Sequence, residues 1–320
     1  MGIPIKHPLS DILTVNSLDR MLSFFQGQAN RPFVGDTFYQ GDNMPNIFFV
    51  DSGVGANTND GRDPRTPLAT LAQAMSAVTA NRGDIIYLLP GHSETLTASL
   101  SLAVAGVTII GLGAGAARPT FVVGDAVGEA ITLDAAPIWI ENCIFICGTD
   151  AQTNIVRILS TDCMIKDCDF REVLTTKQPL TCLDITGGAA NATDRSKVYG
   201  CRFLVPTAGD GDRAIELGEV ADGIEIVGCV VFGNFDDACI HNVTGKVLTN
   251  LLISDCILTN TLTGQHSIEL VSACTGNLVR NMYNNDLTQQ TGADTGSCAS
   301  FECFHCDTID VSAIISPVLT

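Results

Sequence analysis

Positive charge is scarce in this chain: 17 Lys and Arg stand against 35 Asp and Glu, for a net charge of −18. Nucleic-acid affinity rests largely on cationic side chains at phosphates, so no nucleic acid is expected as a partner. Aromatic rings are also few, at 6% of residues with one Trp and four Tyr, which leaves little surface for stacking on sugars. No apolar run approaches the ~20 residues of a membrane-spanning helix, and no membrane partner is expected. Lys6 is followed by Asp11 and Asp19 rather than by an uninterrupted apolar core, so no secretory signal is expected. Charged residues make up 16% and apolar residues 46%, a balance that excludes a disordered chain.

Cysteine, by contrast, is plentiful, with 13 in 320 residues. In a chain of this size without a secretory signal, a disulfide framework is not expected. The cysteines follow a repeated phrase instead. Ile140-Glu141-Asn142-Cys143-Ile144-Phe145 returns around Cys168, Cys201, Cys229 and Cys256, and Val279-Arg280-Asn281-Met282-Tyr283-Asn284 reads as a copy with Met282 in the Cys position. Each copy runs apolar, polar, turn-forming, Cys, variable, apolar. A period near 25 to 33 residues signals stacked units. Free Cys is a small buried hydrophobe, so the five cysteines are expected to stack in an interior, reduced.

A second phrase interleaves with the first: Ala130-Ile131-Thr132-Leu133, Ile155-Val156-Arg157-Ile158, Cys182-Leu183-Asp184-Ile185, Ala214-Ile215-Glu216-Leu217, Cys239-Ile240-His241-Asn242, Ser267-Ile268-Glu269-Leu270 and Cys298-Ala299-Ser300-Phe301. Two or three short strands per repeat, joined by Gly, Asn and Asp turns with no helical periodicity between them, describe the coils of a parallel β-helix. The fold class is all-β, with roughly seven or more coils. Residues 1–46 lack the repeat and read as an extended, Pro-broken N-terminal arm, with a short helix behind Ser17. The body covers 47–320: an opening segment and capping helix over 47–100, coils over 101–310 and a tail over 311–320. The helix is expected to start with Thr66 as N-cap and Pro67 at the first helical position, to bury Leu68, Leu71, Ala72, Met75 and Val78, and to end at Asn81-Arg82-Gly83.

The stretch Val50-Asp51-Ser52-Gly53 through Asn59-Asp60-Gly61, then Thr66-Pro67, the helix and Gly83-Asp84-Ile85-Ile86-Tyr87-Leu88-Leu89-Pro90-Gly91 resembles the start of β-helix proteins encoded by tailed bacteriophages. With the coils, it makes residues 47 to about 310 similar to the right-handed parallel β-helix of the pectate-lyase-like superfamily. The resemblance implies a helix plugging the open end of the coil stack, and often a homotrimer.

Candidate site residues are sparse. Polygalacturonase-like members carry Asn-Thr-Asp, Asp-Asp, Gly-His-Gly and Arg-Ile-Lys on neighbouring coils. Here Asn57-Thr58-Asn59-Asp60, Gly91-His92-Ser93 and Asp236-Asp237 come in a different order, and Arg-Ile-Lys is missing. Asp236 and Asp237, with Asp210, Asp212, Asp255 and Glu269 on other coils, are the carboxylates from which a paired acid–base site would be drawn. Adjacent strand residues face opposite ways, so one of Asp236 and Asp237 is expected to serve a given face. Trp139 alternates with Ile138 and Ile140, which points it toward the surface; packing in the core or at a coil edge is still the favoured reading. Cys298, Cys303, His305 and Cys306 lack the second regularly spaced ligand pair of a structural zinc site, so neither metal nor cofactor is expected. His7, His92, His241 and His266 have no nucleophile partner at a recognisable spacing.

With no readable catalytic constellation, the expectation is a non-enzymatic virion protein, made in the host cytoplasm and decorating the capsid surface. Its partner would be the major capsid protein, and binding only the assembled shell would stabilise that shell. The alternatives are a tailspike-type polysaccharide depolymerase or lyase and a host-binding fibre module.

Overall fold

Each pass of the chain lays down three short strands, and each strand pairs in parallel with its equivalent one coil on. This computed structural model describes residues 45–123, 129–172, 177–206, 211–262, 264–270, 273–284, 293–295 and 297–306. Residues 1–44 of the expected arm, the tail 311–320 and Asp210 lie outside them. The strands stack into three sheets of ten, nine and eight members, a right-handed-type parallel β-solenoid that meets the expected seven or more coils. The first sheet runs from Ile47–Val50 to Ala299–Phe301, the second from Ser93–Leu96 to Phe304–Cys306 and the third from Leu100–Leu102 to Ala293–Thr295.

Alternation along each strand sets what enters the core. In the first sheet Ile140, Ile165, Val198, Ile226, Ile253 and Leu278 share one rung position and all are buried. In the third sheet Ile131, Val156, Leu183, Ile215, Ile240 and Ile268 do the same. The second sheet contributes a stack of rings. Phe121, Phe145, Phe170 and Phe203 follow one another with centroid separations of 5.8, 5.2 and 4.7 Å, continued by Val231, Leu258 and Tyr283. Identical residues stack because parallel strands about 4.8 Å apart superpose equivalent side chains.

The repeated cysteine phrase is the corner between the first and second sheets. Its turn residue lies in the left-handed region on every coil: Asn142, Asp167, Gly200, Gly228, Asp255, Arg280 and Glu302 have φ between 50° and 66°. This conformation turns the chain while each of Asn142 to Arg280 still donates its N–H to the next coil. Glycine at Gly200 meets a second demand, since a Cβ there would lie 2.5 Å from Asp167 Oδ1. The following residue is the cysteine, and its N–H points at the side chain stacked on it. Cys143 N–H donates to Cys168 Sγ at 3.5 Å, and the Cys201 and Cys229 amides face the Cys229 and Cys256 thiols in the same way. Each Sγ donates back to the first sheet: Cys201 to Ile165 O at 3.5 Å, Cys229 to Val198 O at 3.6 Å and Cys256 to Ile226 O at 3.7 Å. The cysteine is therefore a buried hydrogen-bonding link for the corner amide as well as a small apolar filler.

Two readings of the repeat are corrected here. Asn281, not Met282, occupies the cysteine position. Its Oδ1 accepts from Cys256 N–H at 3.0 Å and its Nδ2 donates to Ile253 O at 2.9 Å, the same two bonds made with a stronger acceptor and donor. Met282 stands one residue on, in the outward row of Ile257, and is exposed. The last copy of the second phrase is also displaced. Ala299 pairs with Asn277 in the first sheet, and Cys303 follows as the next corner cysteine.

The opening segment closes the stack as expected, with the helix shifted. It spans Leu71–Ala77, capped by Thr70, whose hydroxyl accepts from Gln73 N–H at 3.3 Å. Leu68 instead makes a parallel bridge to Val50, which holds the Thr66-Pro67 stretch extended and delays the helix by one turn. Leu71, Ala74, Met75 and Val78 face the core, and Ala72 is exposed. Asp84, fully buried, ties the cap down: it accepts from Asn46 and Thr79 N–H at 2.7 and 2.8 Å and from both sides of the Arg82 guanidinium. Burial alone would push its carboxyl up; Arg82 and the two amides outweigh that and hold it below the ordinary range.

Two outcomes follow from the corner. Cys229→Ala removes an acceptor and a donor from a dry site and lowers stability by about 1–3 kcal/mol in denaturant unfolding. Cys229→Asn supplies both groups, as Asn281 does, and unfolds at a higher denaturant concentration than Cys229→Ala. Burial, with the thiols above and below, also pushes the Cys201 thiol well up. All five corner thiols are fully buried, so a thiol reagent followed by mass spectrometry leaves Cys143, Cys168, Cys201, Cys229 and Cys256 unmodified until the chain unfolds.

Candidate functional site

The outer face of the third sheet collects the polar members of the second phrase. Two outward rows run along it. One carries Thr132, Arg157, Asp184, Glu216, His241 and Glu269 on successive coils. The other carries Asn154, Thr181, Arg213, Ala238 and His266. Asn154 and Thr181 are buried although polar because they hydrogen-bond along this face: Asn154 Nδ2 donates to Asp184 at 3.2 Å, and Thr181 Oγ1 reaches Glu216 at 3.5 Å. Arg157 Nε lies 3.2 Å from Asp184 Oδ2 and donates to Thr186 O at 3.1 Å.

The richest point lies one coil further on. Arg213 donates through Nη1 to Glu216 Oε2 and through Nη2 to Asp237 Oδ2, with Asp212 Oδ2 3.5 Å away. Ala238 sits beside Arg213 in the register, and its small side chain leaves the guanidinium room to reach Asp237. The Asp212 side chain is 34% exposed and that of Asp237 38%, so both are open to a ligand. Burial pushes the Asp212 carboxyl up; Arg213 opposes this, and the charges of Asp237, Asp236 and Glu216 add to it. The arrangement thus pairs an acid whose proton is held more tightly than usual with carboxylates ion-paired to an arginine, the division of labour that acid–base chemistry needs.

Asp236 and Asp237 are not in a strand. They form a bend ahead of Ala238–Asn242, hydrogen-bonded through their amides to Gly211 O and Asp212 O. The opposite-faces rule does not govern a bend: Asp237 enters the cluster and Asp236 stands exposed at its rim. Glu269 shares the outer row further along. Asp255 is elsewhere, paired through both oxygens with Arg280 at 2.7 Å on the corner between the first and second sheets. Linear reading missed Arg213, Glu216 and His241. His241 looked isolated, yet the register sets it between Glu216 and Glu269, and its Nδ1 is buried without a hydrogen-bond partner among the described residues. The available signal was the second phrase, whose polar third member is an acid, base or imidazole on coil after coil.

The remaining candidates have structural roles. Asn57 and Asn59 hold the turn before the helix, Asn59 Nδ2 donating to Pro67 O at 2.7 Å. His92 is fully buried: Nδ1 accepts from Ser52 N–H at 3.1 Å, and Nε2 lies 3.2 Å from Glu94 without hydrogen-bond alignment. Cys303 belongs to the corner ladder, and no group of three metal-ligating side chains occurs among the described residues. Trp139 departs from the favoured reading: it turns outward and is 44% exposed, while Ile138 and Ile140 are buried. No described helix is long and apolar enough to cross a membrane.

No family model and no curated protein matches the chain. Among solved structures it is similar to a pectate lyase, with a TM-score of 0.53 at 13% identity over 80% of this chain and 68% of that one. A rhamnogalacturonan lyase gives 0.49 at 12% identity over 80% and 73%. A tailspike protein of an Acinetobacter baumannii bacteriophage, a capsular polysaccharide depolymerase, gives 0.37 at 13% identity over 74% of this chain and 49% of its own. The likeness is one of fold. The expectation of a protein without enzymatic activity is corrected at this point. It rested on the lack of a readable constellation, whereas the fold is shared with a polysaccharide lyase and the coils bring together Arg213 and Asp237, 24 residues apart in the chain.

The raised Asp212 pKa has a sign that can be measured. The folded state holds this proton more tightly than the unfolded chain, so the associated stability is full below the ordinary carboxylate value of 3.8 and is lost as the pH rises through the raised value. Asp212→Asn therefore unfolds at a higher temperature than the natural chain at neutral pH, and the difference disappears in acid.

Proposed function

We propose that this protein is a β-helical polysaccharide depolymerase that cleaves glycosidic bonds by acid–base chemistry on the outer face of the third sheet. Asp212 gives its proton to the leaving glycosidic oxygen. Asp237 attacks the anomeric carbon as that bond breaks, a retaining course that suits two carboxylates brought close by the shared Arg213 Nη2. Asp212 then takes a proton from the water that displaces Asp237, and Arg213 holds Asp237 and Glu216 in place. The observation that carries this reading is the Asp212 carboxyl, raised by burial and by its acidic neighbours, beside the Arg213-held pair on an exposed face. A long flat sheet also suits an extended chain better than a small molecule. The acidic cluster favours hydrolysis over elimination at a uronate, since carboxylates outnumber the one arginine there and repel an anionic sugar. The phage-type opening segment supports a virion setting. The shell-binding role expected from the sequence has no supporting observation and gives way to this reading.

The test is incubation of the full chain with uncharged capsular polysaccharides, with pectate as the anionic control. New reducing ends are expected, without the ultraviolet absorbance of unsaturated uronates, and the rate falls as the pH rises through the Asp212 pKa. Asp212→Asn and Asp237→Asn each lower the rate by at least about a hundredfold. Unsaturated products would replace hydrolysis with elimination, and no oligosaccharide from any substrate would end the depolymerase reading.

A further inference from the structure

The single tryptophan occupies a face that the acidic cluster does not use. Trp139 stands on the outer side of the first sheet, in the row of Thr108, Met164, Lys197 and Glu225. Leaving 44% of an indole in water forgoes much of the stabilisation its burial would give. The ring is nonetheless fixed: its Nε1–H donates to Asp162 O at 3.2 Å, and the Asp162 carboxylate is clamped by Arg195 at 2.7 and 2.8 Å. An exposed ring with its plane already set loses little freedom when a partner lies against it.

Beside the ring is a depression of about 350 Å³ lined by Asn81, Gly83, Gly106, Val107, Thr108, Pro137 and Trp139, at the small end of the range for ligand pockets. Two of its walls are bare backbone. Gly106 has φ of 76°, and a Cβ there would press on Asn81 Cα at 3.0 Å, so the position excludes any side chain that would fill the space. The Asn81 amide is exposed, the Thr108 hydroxyl is half-buried, and neither side chain is hydrogen-bonded to another described residue. An aromatic face flanked by uncommitted amide and hydroxyl groups matches a pyranose ring, which offers a C–H face to the indole and hydroxyls at its edge.

We infer that this depression is a second carbohydrate site, which holds an uncharged hexopyranose of an extended polysaccharide against Trp139 without cleaving it. The sugar is uncharged because nothing lining the depression is ionisable. The nearest lysines along the face are already paired, Lys166 with Glu141 at 2.7 Å and Lys197 with Glu225 at 3.3 Å. It is held without cleavage because no carboxylate lines the site. The site lies on a different sheet from Asp212 and Asp237, so it anchors the polymer independently of the chemistry there.

With one Trp in the chain, intrinsic fluorescence reads the site directly. The full chain is titrated with cellohexaose, maltohexaose, mannohexaose and hexagalacturonate. At least one neutral hexasaccharide is expected to shift the emission saturably, with hexagalacturonate leaving it unchanged. By calorimetry, Trp139→Ala weakens that binding at least about tenfold, while Asp237→Asn binds as the natural chain does, which separates this site from the proposed catalytic one. Thr108→Val and Asn81→Gly, the latter keeping the left-handed turn at φ 58°, give smaller losses and serve as readouts if Trp139→Ala does not fold. No response to any neutral sugar, a response to hexagalacturonate alone, or equal calorimetric affinity in natural and altered chains would overturn the inference.

Discussion

The corner amide between the first and second sheets is the constraint on which the rest of the molecule depends. Turning the chain there takes one residue in the left-handed region, and the next residue's N–H is then left facing the interior. A buried N–H without an acceptor costs about 1–3 kcal/mol, and the cost would recur on every coil. A thiol one coil on meets it at Cys168, and an amide meets it more strongly at Asn281. The solution propagates because each side chain also donates to the first sheet, so that neighbouring coils are linked inside as well as along the ladders. This explains why the position tolerates Cys and Asn, both short and both able to accept and donate.

With the interior occupied by stacked Ile, Phe and Cys, the outward positions are free to vary, and the three faces have diverged. The third sheet carries acids and arginines, whose hydrogen bonds run between coils. The first sheet carries the exposed indole and two Lys–Glu pairs. The second exposes apolar side chains, among them Phe232, Ile257 and Met282. The solenoid thus separates stability from function spatially. Its core rows repeat, while a site needs only a few outward residues and one bend, as at Asp236 and Asp237.

Much of the fold was legible because a solenoid writes its period into the chain. The two phrases marked the strands, the left-handed turn was visible as Asn, Asp or Gly before each Cys, and a capping helix was foreseen. The errors have local causes. Alignment by type put Met282 in the ladder, because an apolar residue looked a nearer match to Cys than Asn281 did; hydrogen bonding, not hydrophobicity, defines the position. The helix start was misplaced because Thr66-Pro67 satisfies local capping rules, and only the bridge from Leu68 to Val50 shows the segment extended. Of the candidate site, Asp212, Asp236 and Asp237 were legible as acids, but Arg213, Glu216 and His241 were not seen as their neighbours.

The period, the parallel coils, the buried reduced cysteines and the divergence of inward from outward residues all follow from local alternation and turn chemistry repeated along the chain. Which outward residues meet is a matter of packing between coils. Register between coils sets that, and register depends on loop insertions whose lengths differ from coil to coil. Residues 24 apart, Arg213 and Asp237, share an ion pair because one short loop brings a bend beside the preceding strand. Trp139 lies open because Gly83 and Gly106 on earlier coils leave the space beside it unfilled. Neither fact is contained in any single segment of the chain.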